Sequence, residues 1–141
     1  MGIQNIAAAE PIDVADIAGL TYIPDAIDEQ TEQRLNSIID TQPWLADLKR
    51  RVQHYGWRYD YKARTVTPEL KLGPLPEWLT SLAAQFHSGG LLPKMPDQVI
   101  INEYQPGQGI SAHIDCVPCF EETVASLSLD STCVMEFIHT K

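Results

Sequence analysis

Four short apolar segments follow one another closely in the second half of the chain, with turn-forming residues between them. They are residues 98–104, 110–115, 124–129 and 133–138. Alternation of apolar and polar residues over such lengths predicts β-strands, and Asp130-Ser131 between the last two predicts a tight hairpin. This part of the sequence therefore predicts short antiparallel strands.

Two helices are predicted ahead of these strands. Residues 26–40 form the first, with Asp28 as its N-cap, and residues 76–87 form the second, which starts at Pro76 and ends at Gly89-Gly90. A short strand is predicted at 20–24, and one or two strands at 57–66. Helices followed by antiparallel strands indicate an α+β fold with a jelly-roll core.

The strand predicted at 110–115 carries a His-x-Asp triplet, His113 and Asp115. Residues two apart on a strand point to the same face, so an imidazole nitrogen and a carboxylate oxygen could reach one metal ion. A third ligand on another element would complete the 2-His-1-carboxylate triad of non-haem iron(II) oxygenases. An isolated triplet of this kind can also be purely structural.

Asn102 and Tyr104 share a face of the preceding strand, where an amide and a phenol could bind a carboxylate-bearing co-substrate, or serve only in packing. The succession NEYQPG, QGISA, HID resembles the AlkB family of Fe(II)- and 2-oxoglutarate-dependent dioxygenases. The similarity continues through Phe120 and residues 124–137. It is greatest to the branch that hydroxylates modified wobble uridines in tRNA.

The resemblance implies an oxidoreductase that hydroxylates or dealkylates a base of RNA or DNA. His113 and Asp115 would be metal ligands for Fe(II), and Asn102 and Tyr104 would bind 2-oxoglutarate. Residues 1–16 are expected to be a flexible tail. The resemblance also implies a helical and nucleotide-recognition-lid-like region at 17–96 and, at 97–141, the first half of a double-stranded β-helix.

The sequence departs from the family pattern after residue 138. The second iron-binding histidine and the arginine that binds 2-oxoglutarate have no convincing counterpart. His139 is the only histidine after Asp115, and we expect it to be a surface residue. The barrel is therefore expected to be incomplete, the chain truncated, and catalysis by this chain alone uncertain.

Basic residues are concentrated in one part of an acidic chain with a net charge of −9. Seven of the ten Lys and Arg residues lie in residues 49–71, here called the basic segment, which also contains four aromatic residues spaced two apart. On one strand these rings would share a face, either to stack on a base or to pack on the core. The resemblance favours a nucleic-acid-facing lid. Its expected substrate-binding residues are Arg51, Trp57, Arg58 and Tyr61.

Cys116 and Cys119 form a C-x-x-C pair directly after the triplet. This pair could form a redox or zinc site. The alternative is that Cys116, Cys119 and Cys133 are loop and core cysteines without such a role. We find no signal peptide and no apolar stretch long enough for a membrane helix, so a cytoplasmic protein is expected.

Three hypotheses follow for function. The first is a dioxygenase that modifies tRNA or alkylated nucleic acid, and the second is a dioxygenase of the same fold that acts on a protein. The third is a non-catalytic fragment or partner subunit, with a second chain completing the barrel.

Overall fold

The computed structural model describes residues 12–13, 17–64, 66–115 and 123–139. In these ranges helices are combined with two-stranded antiparallel sheets, β1–β2 and β3–β4. The elements in chain order are β1 (Ile12–Asp13), β2 (Thr21–Tyr22), α1 (Glu29–Thr41), β3 (Arg51–Tyr55), a 3-10 turn (Pro68–Leu70), α2 (Glu77–Ser88) and β4 (Val99–Glu103). The mixture of helix and antiparallel strand predicted from the sequence is confirmed.

Helix α1 begins at Glu29, three residues after its predicted start, and the predicted N-cap, Asp28, is confirmed. The carboxylate of Asp28 accepts a hydrogen bond of 2.7 Å from the backbone N–H of Thr31, one of the N–H groups that have no partner within the helix. Leu35 and Ile39, one turn apart, are buried on the same side of the helix. The helix ends at Thr41, shortly before Pro43.

Helix α2 is shifted by one residue from its predicted bounds. Pro76 is its N-cap, and the backbone N–H of Gly89 closes the other end by donating to the carbonyl of Gln85 at 2.9 Å. Leu79 and Leu82 are buried. Within the described residues no helix is long and apolar enough to cross a membrane.

The two helices meet in the core. Leu35 and Ile39 of α1 and Leu82 of α2 form its buried centre. Partly buried side chains from other parts of the chain pack around them: Ile27, Trp44, Trp78, Phe86, Leu91, Ile101, Leu127 and Leu129.

Strand β3 lies before Gly56, whereas the sequence had predicted strands after it. Gly56 has a φ of 79°, and beyond Trp57 the carboxylate of Asp60 accepts hydrogen bonds of 3.0 Å from the backbone N–H groups of Lys62 and Ala63. These bonds stabilise a turn, a common use of aspartate in loops. The one or two strands predicted at 57–66 are therefore wrong over the described residues 57–64 and 66, and the four aromatic residues spaced two apart do not lie on one strand.

The strands predicted at 110–115, 124–129 and 133–138 are not formed in the part of the chain that the structure describes. A strand needs hydrogen bonds to a neighbouring strand, and none lies beside these residues there. Asp130 does adopt a turn conformation, with a φ of 65°. Leu127 and Leu129 reach the core, whereas Val134 is 93% exposed. The jelly-roll thus stays a prediction.

The predicted domain boundaries also stay predictions. Strand β1 lies inside the predicted tail at 1–16 and pairs with β2, Ile12 opposite Tyr22. Of the remaining tail residues nothing is described.

Candidate functional site

One face of the β3–β4 sheet packs on the helices. Gln53 lies opposite Ile101, its side-chain amide donates to the carbonyl of Ile39 at 3.0 Å, and Ile101 packs on the core. Successive strand residues point to opposite faces. The next opposed pair, Val52 and Asn102, therefore points away from the helices, and Val52 is fully buried there.

Asn102 lies in a cluster with an arginine and two tyrosines on this second face. The Nε of Arg50 donates to the Oδ1 of Asn102 at 2.8 Å. The guanidinium carbon lies 5.6 Å from the ring centre of Tyr61 and 6.0 Å from that of Tyr104, within the range of cation–π attraction. The two expected co-substrate residues are thus joined by a basic residue that sequence reasoning had not selected.

His113 and Asp115 lie side by side although they are not on a strand. The Nε2 of His113 is 3.4 Å from the Oδ1 of Asp115, and both side chains are exposed. The Nδ1 lies 2.8 Å from the carbonyl oxygen of Ser111. Since a carbonyl only accepts, this contact assigns the proton to Nδ1 and leaves the lone pair of a neutral ring on Nε2.

Two acceptors face each other in this pair. A neutral Nε2 and a carboxylate oxygen attract only when a cation lies between them, either a proton taken up by the ring or a metal ion. One imidazole nitrogen and one carboxylate oxygen are two of the three donors of an iron(II) facial triad. The pair therefore fits part of such a site.

The loop that carries the pair contacts the basic segment at two points. The side-chain amide of Gln108 donates to the carbonyl of Lys49 at 3.1 Å. The guanidinium of Arg64 donates to the carbonyl of Ile114, the residue between His113 and Asp115. The basic segment thus supports the loop, in addition to any contact with a substrate.

Both expected substrate-binding arginines are ion-paired at the surface. Arg51 binds both carboxylate oxygens of Glu103, at 2.8 and 2.7 Å, and lies 4.5 Å from the ring centre of Trp44. The hydrogen bonds from Arg51 hold the pKa of Glu103 below its usual value. Arg58 binds Asp47 at 2.8 Å.

The aromatic residues of the basic segment have different environments. The ammonium of Lys71 lies 5.7 Å from the ring centre of Trp57. Tyr59 is buried and meets Tyr61 edge-on, with ring centres 5.0 Å apart. Burial raises the pKa of Tyr61. Tyr61 is therefore the aromatic side chain that connects this segment to the Asn102 cluster.

Comparison with known proteins places this sequence in a family. Residues 29–141 match the profile of the "2OG-Fe(II) oxygenase superfamily". The chain belongs to this superfamily. Because the profile covers most of the chain, the assignment applies to the helices and the site region together.

Three similar proteins indicate which members of the 2OG-Fe(II) oxygenase superfamily this chain resembles. It is 37% identical over 127 residues to "Alkylated DNA repair protein ALKBH8 homolog" of Arabidopsis thaliana. It is 40% identical over 129 residues to "tRNA (carboxymethyluridine(34)-5-O)-methyltransferase ALKBH8" of Mus musculus. It is 30% identical over 120 residues to "Probable RNA/DNA demethylase ALKBH6" of Danio rerio.

These alignments confirm the AlkB-family resemblance. They cover 86%, 86% and 82% of this chain. The chain in turn spans 37%, 19% and 48% of those relatives. The activity of the whole relatives is therefore considered only as a proposal below.

A third metal ligand beside the His113–Asp115 pair is expected on another element of the chain. Among the described residues, no three His, Cys, Asp or Glu side chains are arranged to hold a metal ion. Cys116 and Cys119 lie outside the described residues. Cys133 is an exposed free thiol outside any helix or strand, which agrees with the expectation of a loop cysteine. His139 is exposed, as predicted.

Proposed function

We propose that this chain is part of an Fe(II)- and 2-oxoglutarate-dependent dioxygenase that hydroxylates or dealkylates a base in RNA or DNA. The observation that supports this most is the His113–Asp115 pair, whose Nε2 and Oδ1 face each other at 3.4 Å. Membership of the 2OG-Fe(II) oxygenase superfamily favours iron over a proton as the intervening cation.

Each site residue has a proposed role. His113 and Asp115 hold Fe(II), and Asn102 and Tyr104 bind the carboxylate groups of 2-oxoglutarate by hydrogen bonds. Bound Fe(II) would supply the oxidising chemistry: one oxygen atom of O₂ would be inserted into a C–H bond of the substrate, and the other would convert 2-oxoglutarate to succinate and CO₂. If the hydroxylated carbon is bonded to nitrogen, the alkyl group can leave as an aldehyde.

The basic segment is proposed to bind the nucleic acid. Arg51 and Arg58 are exposed, and their ion pairs with Glu103 and Asp47 can be exchanged for phosphate contacts because surface pairs contribute little to stability. Trp57 and Tyr61 offer rings for stacking on an unpaired base. A tRNA substrate is the form suggested by the name of the mouse relative.

Metal binding by the chain tests the iron site. Co²⁺, a spectroscopic substitute for Fe²⁺, is titrated into the wild type and into the His113→Ala and Asp115→Asn variants, followed by its visible absorption. We expect binding that is lost in both variants and retained in His87→Ala, because His87 lies on α2 and contacts the carbonyl of Leu92. Binding that strengthens with protein concentration would indicate that a second chain supplies a ligand. No binding by the wild type would contradict the proposal and favour a non-catalytic fragment.

Salt-dependent RNA binding tests the substrate class. A fluorescent tRNA anticodon stem-loop is titrated at several salt concentrations against the wild type and Arg58→Gln/Lys62→Gln. Each lost phosphate contact is expected to lower the slope of log affinity against log salt by about one. Lys94→Gln, which changes a lysine outside the basic segment, is the control. Equal RNA binding by all three proteins would contradict a role of the basic segment, and a wild type without RNA affinity would favour a protein substrate.

A further inference from the structure

Arg50 connects three parts of the candidate site. Its guanidinium hydrogen-bonds Asn102 and lies over the rings of Tyr61 and Tyr104. It precedes β3 by one residue and lies two residues before Val52, so alternation directs it to the sheet face of Asn102. Arg50 is not among the site residues predicted from the sequence.

The hydrogen bond from Arg50 determines how the Asn102 amide is oriented. A guanidinium has only donors, so the amide oxygen must face Arg50. The amide N–H groups are then directed elsewhere, and a carboxylate, which has only acceptors, can bind them. With the amide rotated by half a turn, the oxygen would meet the carboxylate and repel it. Arg50 therefore selects the orientation in which Asn102 can bind an anion.

The same guanidinium fixes the surrounding rings. A cation within about 6 Å of an aromatic ring is attracted to its face. The Arg50 guanidinium contacts two rings from different parts of the chain, Tyr61 of the basic segment and Tyr104 after β4. Its positive charge also favours an anion close by. Movement of Tyr61 on substrate binding would therefore be transmitted to Asn102 and Tyr104.

We propose that Arg50 is a positioning residue for the carboxylate-binding side chains Asn102 and Tyr104, and that it connects them to Tyr61 of the basic segment. The proposal deepens the proposed function and rests on it for the identity of the anion, 2-oxoglutarate. The orientation of the Asn102 amide by Arg50 does not depend on that identity.

The first measurement is the affinity of the 141-residue chain for 2-oxoglutarate in the presence of Mn²⁺, by titration calorimetry. Arg50→Gln is expected to weaken binding about tenfold or more, because a charge-assisted hydrogen bond is lost. Arg50→Lys, which keeps the charge and one donor, is expected to recover part of the loss. The control Lys94→Gln removes one positive charge outside the cluster and is expected to bind as the wild type does.

A double mutant separates positioning from general stability. If Arg50 acts in part through Asn102, then Arg50→Gln weakens binding less in the Asn102→Ala background than in the wild type. Fully additive losses, or an Arg50→Gln variant with wild-type affinity, would overturn the inference and leave the proposed function intact.

The second measurement needs no ligand. In a ¹⁵N-labelled chain, the side-chain amide signals of Asn102, assigned by their loss in Asn102→Ala, are compared between wild type and Arg50→Gln. We expect them to shift when the hydrogen bond is removed, and unchanged signals would overturn the inference. If the wild type binds no 2-oxoglutarate, the proposed function fails and this spectrum alone decides the role of Arg50. If Arg50→Gln does not fold, Arg50→Met, whose side chain has no donor for the Asn102 oxygen, provides the same two comparisons.

Discussion

His54 shows how a single side chain in the basic segment is tied to one protonation state. Its ring packs 5.7 Å from the ring centre of Tyr61, and its Nδ1 accepts a hydrogen bond of 3.4 Å from the backbone N–H of Tyr59. Burial first, and the charge of Arg58 second, lower the pKa of His54. The folded protein therefore favours the neutral imidazole, the form that can accept this hydrogen bond.

This environment predicts a pH-dependent stability. His54 takes up a proton more readily in the unfolded chain than in the folded one. Its contribution to the free energy of unfolding is therefore complete above the ordinary pKa of 6.5 and is lost as the pH falls below that value. Urea unfolding between about pH 7.5 and 5.5 should show a steeper decline for the wild type than for His54→Gln. Parallel declines would contradict the prediction.

Two glycines with nearly the same backbone conformation provide a second residue-scale prediction. Gly56 has a φ of 79° and Gly90 a φ of 80°, but a Cβ on Gly56 would lie 1.8 Å from the carbonyl oxygen of Asp97, whereas one on Gly90 would meet nothing within 4 Å. Gly90→Ala should therefore cost about 1 kcal/mol from backbone strain alone. Gly56→Ala should cost at least about 2 kcal/mol more, since backbone must move.

Thermal or urea unfolding of both variants checks this difference. Equal losses of stability would mean that the close approach of Asp97 to Gly56 does not constrain the junction between β3 and the chain before β4.

At the scale of elements, the helices follow from local sequence, and so do β2 and β4, which lie within the strands predicted at 20–24 and 98–104, whereas β3 does not. The cap, apolar spacing and terminating residues of α1 and α2 lie within each segment, and both helices form within one residue of a predicted end. Strand β3 was missed although Val52, His54 and their neighbours alternate across its two faces. Its assignment depends on β4, which lies about fifty residues further along the chain.

The N-cap of α1 can be tested directly. Asp28→Ala should lower the free energy of unfolding by about 1 kcal/mol, because the N–H of Thr31 loses its acceptor. Asp28→Asn keeps an acceptor oxygen and should retain most of the stability. Ser37→Ala, at an exposed position within the same helix, should stay within about 0.5 kcal/mol of the wild type. A loss in Ser37→Ala as large as that in Asp28→Ala would contradict the assignment of the cap.

At the scale of the whole molecule, residues 127–130 pack on α1, about ninety residues earlier in the chain. The side-chain amide of Asn36 donates to the carboxylate of Asp130 at 2.7 Å, and the backbone N–H of Asp130 donates to Glu32 at 3.2 Å. Leu127 and Leu129 pack on the core beside them. These contacts hold residues 127–130 on the helical part of the protein although the chain there is not paired as a strand.

Hydrogen exchange should reveal how strongly this segment is held. Asn36→Ala and Leu129→Ala are both expected to speed exchange of the Asp130 backbone amide, and Leu129→Ala should also cost about 1–2 kcal/mol, since its side chain is only partly buried. Val134→Ala, at a side chain that is 93% exposed, is the control and should leave the exchange rate unchanged. Unchanged exchange in Leu129→Ala would mean that the segment does not depend on the core.

The sequence by itself determined the AlkB family, both helices, the Asp28 cap and the residue types of the candidate site. Those features are encoded by neighbouring residues, because caps, helical spacing and the order NEYQPG to HID require nothing from elsewhere in the chain. The roles predicted for Asn102, Tyr104, His113 and Asp115 remain predictions.

Only the tertiary structure decided what these residues contact. It brought Arg50 to Asn102, Arg64 to the carbonyl of Ile114, and the carboxylates of Asp47 and Glu103 to Arg58 and Arg51. Such contacts join residues up to about fifty positions apart, and long flexible side chains can choose among several partners of suitable charge. The choice depends on strand register and on the turn after Gly56, neither of which is fixed by local sequence.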